Sequence, residues 1–101
     1  EKMLKLEKKQ IPEDIDYDKI HGRVIIRSRE AGDKISLKAR NCTKSLKKLF
    51  NELSIPPEKR NKIIVIADNN GLVLVEGIGC DKRFSVTKET KRILCIGIER
   101  N

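Results

Sequence analysis

Residues 63–75, IIVIADNNGLVLV, decide the fold because two apolar runs flank a short polar turn. The runs at 63–67 and 72–75 are rich in β-branched and aliphatic side chains, which favour strands. Between them, Asn69-Asn70-Gly71 is a strong hairpin signal, since Asn and Gly accept the positive φ angles that tight turns require. The stretch predicts an antiparallel hairpin. Further strands are predicted at 23–29, 35–37 and 92–98, and a glycine corner at 77–79.

One segment has the period of a helix instead. Residues 43–53, TKSLKKLFNEL, place apolar side chains at positions 46, 49, 50 and 53, and Lys44, Lys47, Lys48 and Asn51 on the opposite face. Asn41 or Thr43 is predicted to cap the start of this helix, which should end before Pro56. A further helical turn is predicted at 57–61.

The order of these elements indicates the fold class. About six strands, with one main helix between the third and the fourth and no strand–helix alternation, predict an α+β domain that is mainly β. Residues 1–20 are interpreted as a linker or edge segment from a preceding domain, with one short strand possible at 3–10, and residues 21–101 as the folded domain. Because the chain begins with Glu1 rather than Met, we expect it to be part of a longer protein.

The charge of the chain narrows its partners. With 23 Lys and Arg against 15 Asp and Glu, the formal net charge is +8, and 38% of the residues are charged. Such an excess favours polyanions such as nucleic acid or an anionic surface. No apolar run approaches the roughly 20 residues that a membrane helix needs. We therefore expect a cytoplasmic protein with no membrane partner.

Residue types that carry catalysis are sparse. Cys42, Cys80 and Cys95 have no zinc-type spacing, and His21 is the only imidazole that could activate a thiol. The glycines form no phosphate loop, and Gly77-Ile78-Gly79 is most simply a tight β corner. The sequence thus predicts no catalytic site, no metal site and no cofactor in this chain.

Basic residues recur in groups that could form one surface. The predicted strand at 23–29 shows arginines, the predicted helix shows lysines, and further cations follow each apolar segment. The residues predicted to contact RNA are Arg27, Arg29, Lys44, Lys47, Lys48, Arg60, Lys82 and Arg83. A lysine-rich helix face is also what ordinary solvation produces, so spacing alone leaves both interpretations open.

The shortage of aromatic residues indicates what kind of RNA would bind. Single strands are usually held by stacking on aromatic rings, but the chain has only Tyr17, Phe50 and Phe84, and the helix core claims Phe50. Phosphates of a duplex require only cations, hydroxyls and backbone N–H groups. A structured RNA helix is therefore the better candidate.

Several motifs in a fixed order resemble one family. Arg27-Ser28-Arg29 with Gly32-Asp33, then KSLKKLF at 44–50, Ile55-Pro56, Arg60, the strand at 63–67 and EGIGCDKRF at 76–84 together resemble the C-terminal domain of bacterial tRNA(Ile)-lysidine synthases. The resemblance extends over roughly residues 20–100. Two positions depart from the family pattern, since Ile63 and Glu76 stand where proline is common.

The resemblance implies a fold and a function. It implies a small mixed or antiparallel β-barrel-like sheet, similar to a tRNA-binding module of phenylalanyl-tRNA synthetase, that holds the acceptor stem of tRNA(Ile). The parent ligase would use ATP with magnesium to attach lysine to the wobble cytidine of the CAU anticodon. Its N-terminal catalytic domain, with an S-G-G-x-D-S loop that this chain lacks, would be a partner within the same polypeptide. The alternative is a structural module of the same or another RNA-modifying enzyme, which either docks on the rest of that enzyme or dimerises; in the second case the parent would be a homodimer.

Overall fold

The predicted hairpin is the centre of the structure, a computed structural model that describes residues 4–5, 13–38 and 42–99. Strands β6 (Val65–Asp68) and β7 (Gly71–Val75) pair antiparallel. The turn between them is not formed by asparagines with positive φ angles, as the sequence predicted. The Asp68 carboxylate accepts the backbone N–H of Asn70 at 2.9 Å, and Gly71 has φ of 141°. Among the described residues Ser54 is the sole non-glycine with positive φ, so the asparagines do not adopt that conformation.

Ten short strands occur in the described part of the chain. Besides β6 and β7 they are β1 (Leu4–Lys5), β2 (Glu13–Asp16), β3 (Ile25–Arg27), β4 (Lys34–Leu37), β5 (Cys42–Ser45), β8 (Gly79–Cys80), β9 (Ile93–Ile96) and β10 (Ile98–Glu99). The largest sheet has the order β3-β6-β7-β8, and three further ladders pair β2 with β9, β4 with β5, and β1 with β10. The last ladder is parallel and the others are antiparallel.

The mainly β, mixed α+β prediction is confirmed, with two refinements. The strands are shorter and more numerous than the six expected, and within the described residues the ladders stay separate instead of closing a barrel. Strand β4 follows β3 in the chain after a short loop, but the two do not pair with each other: β4 pairs with β5, and β3 pairs with β6.

The main helix, α1 (Leu46–Glu52), is shorter than predicted. Its N-cap is Ser45, whose Oγ accepts the backbone N–H of Lys48 at 3.2 Å. The predicted caps are replaced: Thr43 lies in β5, and Asn41 is outside the described residues. The second helix, α2 (Pro57–Arg60), confirms the short turn expected after Pro56.

Both faces of the central sheet are covered by core residues. On one face, Leu46, Leu49 and Phe50 of α1 pack against β6 and β7. The other face is covered by a second cluster that includes Ile15 of β2 and Phe84. A bulge lies on β7, because Ile66 faces Leu74 while the next residue, Ala67, faces Leu72. The extra residue, Val73, therefore joins Leu74 in the second cluster.

Four carboxylates are buried among the described residues, and each holds two segments of the chain together. Asp68 accepts the backbone N–H of His21 at 2.9 Å, Asp81 accepts that of Ser36 at 3.1 Å, and Glu76 accepts that of Ile64 at 2.9 Å. The fourth, Asp16, accepts the hydroxyl of Thr90 at 2.9 Å. Buried acids that satisfy backbone donors hold segments distant in sequence. Glu76 thus makes a structural contact at a position where the resemblance led us to expect proline.

The segment at 1–20 contributes structure of its own. All four residues of β2 pair with β9, and Ile15 is fully buried. Strand β1 falls inside the range 3–10 where a short strand was expected, and the rest of that range lies outside the described residues. The domain boundary after residue 20 stays a prediction.

Candidate nucleic-acid interface

An open cleft of about 500 Å³ lies where three segments meet: the loop at 28–33, the start of α1 and the end of α2. It brings together three of the residues predicted to contact RNA, Arg29, Lys47 and Arg60. The lining residues are Arg29, Glu30, Ala31, Gly32, Asp33, Ser45, Leu46, Lys47, Arg60 and Asn61. We call this site the basic cleft.

Two hydrogen bonds hold the loop at 28–33 against both helices. The carbonyl oxygen of Asp33 accepts the N–H of Leu46 at 2.9 Å, which joins the loop to the first residue of α1. On the other side, the Ser28 hydroxyl donates to the carbonyl oxygen of Asn61 at 3.2 Å, which joins it to the end of α2. The wall formed by the loop is thus attached to both other walls of the basic cleft.

The two arginines of the basic cleft are held by single hydrogen bonds. Arg29 Nε donates to Asn61 Oδ1 at 3.3 Å, and its guanidinium lies 5.6 Å from the centre of the Phe50 ring. Arg60 Nε donates to the carbonyl oxygen of Ile55 at 2.8 Å. Both of these hydrogen bonds use Nε. Phosphate oxygens are bound by the other part of a guanidinium, the planar fork that its terminal nitrogens form. The arrangement fixes the direction of each side chain while suiting it to an anion.

The three lysines predicted to share one helix face do not all lie on α1. Lys47 and Lys48 are exposed on α1. Lys44 lies in β5, not in the helix, and its ammonium forms an ion pair with Glu52. The prediction that one helix face carries all three lysines is therefore wrong, because the chain is extended up to Ser45.

Arg27 is engaged by acids. Its Nη1 and Nη2 donate to the two carboxylate oxygens of Asp33 at 2.9 and 3.1 Å, and Nη1 also donates to the carbonyl oxygen of Ser28. The hydrogen bonds with Asp33 raise the pKa of Arg27. Burial acts to raise the pKa of Asp33, but hydrogen bonds from Arg27 and the Glu30 N–H outweigh it and lower that pKa. The pair is therefore ionised at neutral pH.

The last predicted pair, Lys82 and Arg83, lies in a short 3-10 helix at Lys82–Phe84 and does not line the basic cleft. Arg83 Nε donates to Asp81 Oδ1 at 3.0 Å, and its Nη2 donates to the carbonyl oxygen of Leu72 at 2.9 Å. Its guanidinium also lies 5.1 Å from the Phe84 ring centre. Arg83 thus supports the fold, whereas Lys82 is exposed.

Each of the three aromatic rings of the chain is either buried in a core or in contact with another side chain of the protein. Phe50 and Phe84 are buried in the two cores. Tyr17 is about half exposed, but the guanidinium of Arg92 lies 4.9 Å from its ring centre. An array of open rings of the kind that stacks single-stranded bases is absent from the described residues, which contain every aromatic residue of the chain.

Other reactive groups are dispersed. In the ranges that the structure describes, no three His, Cys, Asp or Glu side chains are grouped as metal ligands. Cys80 is partly buried, and burial together with the nearby Glu13 raises the pKa of its thiol, which lowers its nucleophilicity at neutral pH. None of the described helices is long and apolar enough to cross a membrane.

The fold has a known counterpart. A crystal structure described as that of the TILS C-terminal domain superposes with a TM-score of 0.73 over 91% of this chain and 72% of the other, at 24% sequence identity. That similarity identifies the fold: a small, mainly β domain of the TilS C-terminal type.

Sequence comparison then gives the family. Residues 24–96 match the model of the TilS substrate C-terminal domain. The tRNA(Ile)-lysidine synthase of Caldanaerobacter subterraneus subsp. tengcongensis is 40% identical over 81 residues, which are 80% of this chain and 17% of that protein. The Clostridioides difficile synthase is 36% identical over 85 residues, 84% of this chain and 18% of that protein. The chain belongs to the TilS substrate C-terminal domain family, and it spans less than a fifth of the length of these relatives.

Proposed function

We propose that this chain is the tRNA-binding domain of a tRNA(Ile)-lysidine synthase and holds the acceptor stem of the tRNA against its basic cleft. The observation that carries the proposal is the convergence of Arg29, Lys47 and Arg60 from three separate segments on one open cleft. Lys48, the residue after Lys47 in α1, is also exposed and extends the positive surface. Cations without open aromatic rings suit the phosphates of a duplex.

The parent protein would supply the chemistry. Relatives named tRNA(Ile)-lysidine synthase support a larger polypeptide. We propose that this polypeptide uses ATP and magnesium to join lysine to the wobble cytidine. Its catalytic residues would lie outside this chain. The role of the domain would then be to orient the tRNA relative to that catalytic part.

Salt-dependent binding tests the proposal. Filter binding with a tRNA(Ile) transcript bearing the CAU anticodon should show affinity that falls with salt, each neutralised phosphate adding a slope of about 0.7 to 0.9 in log–log form. The variant Lys47→Glu/Lys48→Glu should bind more weakly and with a smaller slope. The matched control is Lys88→Glu/Lys91→Glu, which makes the same charge change at exposed lysines outside the cleft. Equal loss in both variants, or binding that ignores salt, would refute the proposal.

A second candidate function is dimerisation, and exposed apolar residues in β3 and just before it favour it. Val24, Ile25 and Ile26 are 45%, 48% and 61% exposed, and β3 is an edge strand of the main sheet. Exposed apolar edge strands tend to pair with another copy. Sedimentation equilibrium should then detect a dimer that Ile26→Lys abolishes and Leu53→Lys, at another exposed apolar site, preserves. A monomer at every concentration would exclude this candidate.

A further inference from the structure

We propose that Arg27 and Asp33 are positioning residues for the basic cleft: their ion pair closes the base of the loop at 28–33 and thereby sets Arg29 for an RNA phosphate. The inference rests on the proposed tRNA-binding function and assigns Arg27 a role other than direct RNA contact.

The first support is the geometry of the pair. Arg27 Nη1 donates to Asp33 Oδ2 and Arg27 Nη2 donates to Asp33 Oδ1, across a loop whose ends are six residues apart. A bidentate arginine–carboxylate pair fixes orientation as well as distance. The side chain of Asp33 is only 11% exposed and that of Arg27 is 23% exposed, so water screens the pair less than it would a surface pair.

The second support is how many loop contacts meet at these two side chains. Asp33 Oδ2 also accepts the N–H of Glu30 at 2.8 Å, and Arg27 Nη1 also donates to the carbonyl oxygen of Ser28 at 2.9 Å. The residue between these contacts is Arg29. The backbone on both sides of Arg29 is therefore held by the pair, and its own side chain needs only the bond to Asn61 to point into the basic cleft.

The third support is the charge balance of the basic cleft. Asp33 lines it, and a bare carboxylate there would repel a phosphate. Arg27 compensates that charge while remaining engaged by Asp33. Asp33 thus lines the basic cleft without presenting an uncompensated negative charge there. The second acid of the loop, Glu30, has a side chain that is 68% exposed and lies 3.8 Å from the same arginine.

Removing the acid Asp33 distinguishes a positioning role from simple repulsion of phosphate, because the two predict opposite changes in affinity for tRNA. Asp33→Ala should weaken binding of the tRNA(Ile) transcript about fivefold to tenfold, because the loop loses its anchor. Glu30→Ala is the matched control: it removes the same charge from the same loop, but the Glu30 carboxylate is 68% exposed and lies 3.8 Å from Arg27. It should leave affinity unchanged or raise it. If Asp33→Ala also leaves affinity unchanged or raises it, the inference is wrong.

A conservative exchange separates positioning from phosphate contact. Arg27→Lys keeps the positive charge but loses the bidentate geometry, so affinity should fall while the salt slope stays that of the unaltered chain. In a double-mutant cycle, Arg27→Lys should cost far less once Arg29→Ala has been made, because its effect acts through Arg29. Full affinity in Arg27→Lys, or strict additivity with Arg29→Ala, would overturn the inference.

Hydrogen exchange of the backbone amides measures how well the loop at 28–33 is held in the absence of RNA. In Arg27→Lys and Asp33→Ala, the Glu30 N–H should exchange with solvent faster than in the unaltered chain, while circular dichroism stays the same. Unchanged exchange would refute the positioning role even if binding falls. If the unaltered chain does not bind tRNA, the proposed function fails, and faster exchange in the variants would still identify the pair as the anchor of the loop.

Discussion

The guanidinium of Arg29 lies 5.6 Å from the centre of the Phe50 ring, so a residue of the basic cleft rests directly on the core of the domain. Lysine at this position would keep the charge but lose the flat contact with the ring and the Nε bond to Asn61. We expect Arg29→Lys to weaken tRNA binding about threefold to tenfold, a loss of roughly 0.7 to 1.4 kcal/mol. Arg23→Lys, at an exposed arginine outside the cleft, serves as the control. Equal affinity in Arg29→Lys and the unaltered chain would show that charge alone matters there.

Asp81 should be among the most sensitive acids of the fold. Its carboxylate accepts the backbone N–H groups of Ser36 and Arg83 as well as Arg83 Nε, and the residue is buried. Asp81→Ala would leave those donors without an acceptor, and we expect it to lower the free energy of unfolding by about 2–3 kcal/mol. Urea denaturation measures this. Glu89→Ala, at an exposed acid, should change stability little, and a similar small change in Asp81→Ala would contradict the assignment.

Glu13 should make stability depend on pH. Burial, with a further contribution from Asp14, raises the pKa of the Glu13 carboxyl. Because the pKa of Glu13 is raised in the folded state, ionisation of this carboxyl opposes folding. Its contribution to the free energy of unfolding is therefore favourable at low pH and is lost as the pH rises through the folded-state pKa. We expect Glu13→Gln to have a higher melting temperature than the unaltered chain at pH 7, and a smaller difference at pH 4. A difference that grows on acidification would have the wrong sign.

Ser54 offers a stabilising substitution. It follows the C-cap of α1 with φ of 56°, a conformation that glycine adopts without strain and that commonly ends helices. We expect Ser54→Gly to raise the free energy of unfolding by about 0.5–1 kcal/mol. Ser85→Gly is the control, because Ser85 has φ of −65° and gains nothing from glycine. A loss of stability in Ser54→Gly would indicate that the serine hydroxyl makes a larger contribution than the strain.

Local patterns predicted the elements whose partners are close in sequence. The hairpin at 65–75 and the buried side chains of Leu46, Leu49 and Phe50 follow from apolar periodicity and a short turn, and both are confirmed. Leu53 belongs to the same stripe but lies past the end of α1 and is 45% exposed. The stripe thus predicted which face packs, but not where the helix ends.

Distant partners could not be predicted in this way. In the sequence, Asp68 and Asp81 cannot be told from surface acids, because their partners His21 and Ser36 lie more than forty residues away. The sequence also grouped Arg27 with Arg29, although Arg27 is paired with Asp33 and Arg29 lines the basic cleft. Charge patterns locate cations, but only tertiary contacts separate those that face a ligand from those that hold the fold.

Strand β2 and its partner β9 give the domain a particular order of assembly. Asp16 pairs with Ile93, and Glu13 pairs with Ile96, so nearly the whole chain separates the two strands. On the ribosome, Ile15 has no partner strand until the codons for β9 have been translated, and the second core stays open until then. Pairings of this range cost loop entropy before they contribute stability, which slows folding. The domain therefore completes its fold only after β9 has been translated, whereas the two strands of the hairpin at 65–75 follow each other directly in the chain.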